Sequence, residues 1–216
     1  MSVPSSPSPA HDDAPASSTP SAAPSATPSA TPSAPSAPAS PLVAAAESIE
    51  NLTALDPIVR AVRPLADALV ADPTRRDLLR GTWLGHAVHP ILTDMPIGFW
   101  TSALVLDLAG GRGARKPAQR LIGLGVLAAV PTAVTGWAEW SGTGQREQRV
   151  GVVHAVSNVV ALGLFTASWR ARRAERHLTG KVLGLAASSA LGVGGFLGGH
   201  LVSARKVSSR HPDFQH

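Results

Sequence analysis

Four apolar stretches, residues 91–110, 121–140, 151–169 and 182–202, follow one another with only short charged loops between them. A helix needs about 20 apolar residues to cross a hydrocarbon core about 30 Å thick. Lipid offers no partner to backbone groups, and a helix satisfies them all within one segment. The pattern predicts an all-α fold: an integral membrane four-helix bundle, multi-pass in the cell membrane and in contact with the lipid bilayer.

Counting crossings then decides which polar residues share a face. Alternating spans bring the start of the first, the end of the second, the start of the third and the end of the fourth to one side. His86 and His89 precede the first stretch, Glu139 ends the second, His154 opens the third and His200 closes the fourth. Four histidines and a carboxylate, drawn from four helices, are therefore expected at one membrane face. Ionisable groups at helix ends inside a bundle are costly to bury and are functional candidates by default. Asp94, one turn inside the first span, and Asn158, one turn deeper than His154, stand where a side chain orients a ligating neighbour.

Composition narrows the chemistry. The 216-residue chain has no cysteine and no tyrosine. Disulfides, thiolate iron–sulfur ligation, cysteine nucleophiles, covalent c-type haem attachment and tyrosyl redox chemistry are thereby excluded within it. A net charge of +5 and a pI near 10.9 invite a nucleic-acid reading. The basic residues, however, cluster in short loops beside apolar segments, where Lys and Arg set membrane topology, and no basic stripe or nucleic-acid motif occurs. No nucleic-acid partner is expected.

The first 41 residues are almost entirely Ser, Pro, Ala and Thr, with Pro24, Pro28, Pro32, Pro35, Pro38 and Pro41 three or four apart. Such sequence cannot bury a core, and it lacks the basic-then-apolar order of a signal peptide. The organisation expected is a disordered N-terminal tail over 1–41, an amphipathic helical segment over 42–80, a four-span membrane domain over 81–203 and a polar tail over 204–216. In the amphipathic segment Asp56–Pro57 reads as an N-cap followed by proline at the first helical position, Pro64 as a kink, and Asp72–Pro73 as the start of a short helix ending near Arg80. At that length the segment lies on the membrane surface or on the bundle and does not span.

Within the spans, Asp107 stands near enough to Arg112 or Arg115 for an ion pair. The second span sets Gly125, Ala129, Thr132, Gly136 and Glu139 on one face. The fourth carries Gly184, Ser188 and Gly192, then Gly194/Gly198 and Gly195/Gly199, at the period that lets helix backbones approach closely. The loops over 111–120 and 170–181 hold Arg112, Arg115, Lys116, Arg120, Arg170, Arg172, Arg173, Arg176 and Lys181, against only Arg146 and Arg149 between the second and third spans. The positive-inside rule puts the two basic loops in the cytoplasm and the histidine face outside. The spans show no evident inverted repeat, which disfavours a transporter.

At GTWLGHAVHPILTDMPIGFWTSALVLDL, and again through VPTAVTGWAEW, GVVHAVSNVVALGLF and GGFLGGHLV, the chain resembles DUF2231, a bacterial membrane domain of unknown function. The resemblance covers roughly residues 42–202. It is similar to the form often found N-terminal to a Rieske iron–sulfur domain, and that domain is absent here. Glu139 stands where the family pattern usually has Asp. The resemblance implies no established activity; it raises a Rieske-type or other redox protein as a partner, by analogy only.

Two readings of the histidine face stay open. In one, the chain is an electron-transfer component in which His89, His154 and His200, with His86 as alternate, hold b-type haem, or His89, His154, His200 and Glu139 hold a metal ion; imidazole is the usual ligand for both. In the other, the histidines are structural and the domain is a non-catalytic anchor or scaffold for a redox partner. Hydrolase chemistry finds no support, because no Ser or Thr lies in a nucleophile motif.

Overall fold

The computed structural model describes residues 40–209. The Ser/Pro/Ala-rich tail and the last residues of the polar C-terminal segment lie outside them. Every regular element among the described residues is helical. Three short helices, α1 (Pro41–Glu50), α2 (Asp56–Leu69) and α3 (Pro73–Arg80), precede four long ones, α4 (Val88–Ala109), α5 (Arg115–Trp140), α6 (Gln145–Arg173) and α7 (His177–Ser203). These four are long and apolar enough to cross a membrane.

The long helices extend past the apolar stretches. Arg115–Arg120 in α5 and Gln145–Val150 in α6 continue the helix in polar sequence, since Arg, Lys, Gln and Ala hold helical geometry at little cost. α4 tolerates Pro90 in its first turn, where the missing N–H would have no partner anyway. The helices neighbour one another in the order α4, α5, α6, α7, with α7 closing on α4. Two tight hairpins, α4/α5 and α6/α7, thus pack side by side, mainly through α5 and α6.

The core lies where the diagonal helices α4 and α6 meet. Trp100 stacks on Phe165 with ring centroids 4.1 Å apart and planes 11° apart. The Trp100 indole N–H donates to the Ile122 carbonyl at 3.3 Å. Its ring lies where a Cβ on Gly125 would come within 2.3 Å of Nε1, so glycine is required there. Ala103, Ala118, Ile122 and Ala187 complete this cluster.

Burial follows one register in both hairpins. In α4 the buried residues are Pro96, Trp100 and Ala103, and in α6 Ala161, Phe165 and Ser168 repeat their spacing. In α5 Ala118, Ile122, Gly125, Thr132, Thr135 and Ala138 are matched, position for position, by Gly180, Gly184, Ala187, Gly194, Leu197 and His200 in α7.

The end opposite the histidines carries a buried ion pair. Arg172, 1% exposed, grips Asp107 with two hydrogen bonds of 2.8 and 2.5 Å. It also donates to Ser168 Oγ at 3.2 Å, and Lys181 Nζ donates to the Asp107 carbonyl at 2.6 Å. The expected partners of Asp107, Arg112 and Arg115, are not the ones it takes. Its side chain points into the bundle, where its carboxylate meets Arg172 of α6.

The three short helices close over the histidine end, α1 packing on α6 and α7, α2 on α5 and α6, and α3 on α5 and α4. Asp72 caps α3 as the sequence suggests, accepting from the Arg75 N–H at 2.7 Å. Asp56 does not cap α2. The helix already begins at Asp56, and its carboxylate turns instead to Arg149, at 2.7 and 3.0 Å. α2 runs on through Pro64 to Leu69. α3 ends at Gly81, whose φ of +71° lies in the left-handed region and whose Cβ would sit 2.4 Å from the His86 carbonyl. A tight turn therefore leads into α4.

The glycines of α7 divide differently from the sequence reading. Gly184 and Gly194 are buried and Gly198 lies against His154, whereas Gly192, Gly195 and Gly199 face open space. The inward line, not the 184–188–192 stripe as a whole, makes the close helix contact.

Candidate functional site

His89 lies in the first turn of α4 and reaches across to α5. Its Nδ1 is 2.9 Å from the Thr132 carbonyl. A carbonyl only accepts, so Nδ1 carries the proton and Nε2 the lone pair. The ring lies flat over Gly136, where a Cβ would be 2.8 Å from His89 Cε1. Among the described residues nothing hydrogen-bonds to His89 Nε2.

His154 does the same in the second hairpin. Its Nδ1–H donates to the Gly194 carbonyl of α7 at 2.8 Å, and its ring lies over Gly198, where a Cβ would be 3.0 Å from Cε1. Its Nε2 accepts from the Asn158 amide at 3.0 Å. Asn158 thus touches the histidine it was expected to orient.

His200 is engaged elsewhere. Its Nε2–H donates to Glu50 Oε1 at 2.7 Å, and Arg205 also grips the Glu50 carboxylate. Glu50, 1% exposed, ends α1, so this contact fastens the short helices to the end of α7. A carboxylate so deeply placed is tolerated only because it is paired. Arg149 adds a second fastening, donating to the Glu50 carbonyl at 2.8 Å while holding Asp56. The Arg149 guanidinium keeps the Asp56 carboxyl below its ordinary value, chiefly through their hydrogen bond.

The remaining candidates are dispersed. His86 is exposed on the turn before α4, and Asp94 is exposed on the outer face of that helix. Glu139 is buried at the end of α5, with Ser208 Oγ donating to it at 3.2 Å. It borders an open, polar cleft of about 300 Å³ lined also by Arg80, Thr143, Glu147, Lys206 and Ser208. Among the described residues no three His, Asp or Glu side chains are grouped so as to hold a metal ion. The structure brings His89 and His154 into like settings, commits His200 to Glu50, exposes His86 and Asp94, and sets Glu139 beside the cleft.

Glu50 was not among the residues singled out from sequence, whereas Asp56 was read as a helix cap and Arg149 only as a loop charge. Nothing in ESIENLTALDP marks Glu50 as buried; only the fold shows it. A family model for predicted membrane proteins matches residues 85–211, more than half of the chain. The chain belongs to DUF2231. The DUF2231 segment contains all four histidines and Glu139, while α1–α3 precede it. Glu50 and Asp56 therefore brace the DUF2231 bundle from outside the matched segment. No curated protein and no solved structure matches the chain.

Proposed function

We propose that this DUF2231 protein is a non-catalytic scaffold in the cell membrane, whose histidine-side end docks a soluble redox protein. One observation supports this above others. Three histidines at that end each tie one helix to another: His89 joins α4 to α5, His154 joins α6 to α7, and His200 joins α7 to α1. The end is braced as a rigid platform, and the polar cleft beside Glu139 gives a partner shape and charge to meet. The redox character of the partner rests on the resemblance to forms joined to a Rieske domain. Crosslinking from Thr143 and Glu147 in intact membranes tests the proposal. A cofactor-bearing protein is expected to attach there and not at a control site in the loop after α6. Equal labelling at both sites, or none, counts against it.

A second reading makes the chain an electron-transfer component with its own b-type haem or metal ion. A specific observation favours it: a histidine whose Nδ1–H is tied to a carbonyl presents its Nε2 as ligands to metals do. Oxidised and dithionite-reduced spectra of the detergent-purified protein, with metal analysis on the same sample, separate the two readings. A haem spectrum or bound metal supports the second reading; their absence after expression with ample haem and metals supports the scaffold.

A further inference from the structure

The short helices have apolar residues on two sides. In α2, Val59 and Ala66 are buried against the bundle. Ile58, Ala61, Leu65 and Ala68, also at helical spacing, are exposed, Leu65 by 68%. Leu78 in α3, and Trp83 and Leu84 in the turn before α4, are exposed as well. Single exposed apolar side chains are ordinary on a protein surface. A helix with an apolar stripe on both sides is not, because a side that faces water is normally polar.

The level of these helices on the bundle says what meets the outer side. Ala46 and Ile49 of α1 cluster with Val150, Val153, Leu197 and Leu201. Arg80, ending α3, donates to the Ala138 carbonyl at 2.9 Å. Val153, Leu197, Leu201 and Ala138 all lie inside the apolar stretches, within about 8 Å of their ends at 1.5 Å per residue. α2 is held just beyond, by Asp56 on Arg149 and by Arg63 on Gln148 at 3.5 Å. The three helices therefore form a collar level with the edge of the hydrocarbon core. Interfacial helices bury their apolar face to a depth of about 5–10 Å in that zone.

We propose that the outer side of this collar, centred on Leu65, Leu78 and Trp83, is a lipid-binding surface seated at the boundary between headgroups and acyl chains. Its inner side packs on the bundle, and its outer side takes the place in the membrane surface that the amphipathic pattern allows. Tryptophan favours this layer, where its apolar ring and polar N–H are both satisfied. The Trp83 indole N–H donates to the Leu78 carbonyl at 3.4 Å, which sets the ring against α3 while leaving it 66% exposed. Arg60 and the Arg63–Asp67 pair, at 3.4 Å, are exposed beside the α2 stripe. There their stems can lie on apolar surface with the charges among headgroups. The surface runs on into the outer side of α4, where Ile91 and Met95 are exposed soon after Trp83 and Leu84. Other residues line the polar cleft beside Glu139, so lipid and a docked protein do not compete. Interfacial anchors of this kind set a bundle's tilt, and with it the attitude at which the cleft is presented.

The chain has no cysteine. Full-length Leu65→Cys, Leu78→Cys and Trp83→Cys therefore each carry one nitroxide in phosphatidylcholine bilayers. Power saturation compares collisions with oxygen, which concentrates among acyl chains, and with a water-soluble nickel chelate. Arg146→Cys, exposed at the start of α6, is the water control, and Val159→Cys, exposed midway along α6, is the lipid control. All three labels are expected to fall between the controls, with less nickel access and more oxygen access than Arg146→Cys. Ile58→Cys replaces any variant whose melting curve departs from wild type. Labels as open to nickel as Arg146→Cys overturn the proposal, because the collar then faces water. Labels shielded from both reagents overturn it too, because protein, whether this chain or a second copy, then covers the surface. The reconstituted protein is alone, so neither result depends on whether a partner docks at the cleft.

Discussion

Replacing Arg172 by leucine isolates the cost of an unpaired charge inside the bundle. The substitution removes both hydrogen bonds that Asp107 receives from the guanidinium, at 2.8 and 2.5 Å, and the 3.2 Å bond to Ser168. Asp107 cannot move to water, its side chain being 9% exposed. Removing one partner of a buried pair costs about 3–5 kcal/mol. Lys181, already bonded to the Asp107 carbonyl, leaves a cation nearby, so the lower end, about 3 kcal/mol, is expected. That is roughly a hundredfold in the unfolding equilibrium. Asp107→Leu combined with Arg172→Leu leaves no orphaned charge and is expected to lie well above Arg172→Leu alone in stability. Unfolding by SDS titration from mild detergent, followed by tryptophan fluorescence, measures Arg172→Leu, Asp107→Leu and the double variant. A single variant within about 1 kcal/mol of wild type, or a double variant as unstable as the two singles added together, refutes the reasoning.

Gly136→Ala and Gly198→Ala should each destabilise the bundle by about 1–3 kcal/mol, because a Cβ would press on His89 and His154 at 2.8 and 3.0 Å; Gly98→Ala and Gly163→Ala, with nothing within 4 Å, should be neutral or stabilising in the same titration. The bond that lowers the Asp56 pKa works only on the ionised carboxylate. Its contribution is complete above the unfolded value near pH 4 and is lost as pH falls through the lower folded value. Limited proteolysis around residues 51–56 should therefore hold steady from pH 7 to about 4 and rise below it, with Asp56→Asn cleaved at the low-pH rate throughout. Reporter fusions near residues 115 and 175 should fall on one side of the membrane, the cytoplasmic one by the positive-inside rule, and those near 145 and 210 on the other; a pattern needing three or five crossings would contradict four spans.

The architecture was legible because hydropathy alone sets the number of spans, and the number of spans sets which helix ends meet. The contact between Asn158 and His154 was legible for a similar reason: residues four apart share a helix face. Long-range partners were not. Asp107 finds its cation 65 residues away, and His200 finds Glu50 at a separation of 150. No local spacing rule reaches such distances, and the nearer arginines offered a plausible but different answer. Asp56 was misread because N-capping is a local preference of about 1 kcal/mol, which a bidentate guanidinium on another helix can outbid. The repeat escaped because few of its residues are identical. What the halves share is burial register, which becomes visible only when inward and outward faces are known.

The Asp107–Arg172 pair also bears on how the protein is made. The first hairpin is complete once α5 has emerged, yet its buried carboxylate has no partner until α6 is nearly finished, 65 residues after Asp107. At about 5–20 residues per second of synthesis, that leaves roughly 3–13 s in which half a protein holds an unanswered negative charge near the membrane boundary. During that interval the α4/α5 hairpin is best accommodated shallow or tilted, with Asp107 reaching water, and it settles to final depth only as Arg172 arrives. The order of insertion would then be written into the spacing of two residues, and the finished bundle would keep the memory of it as an ion pair.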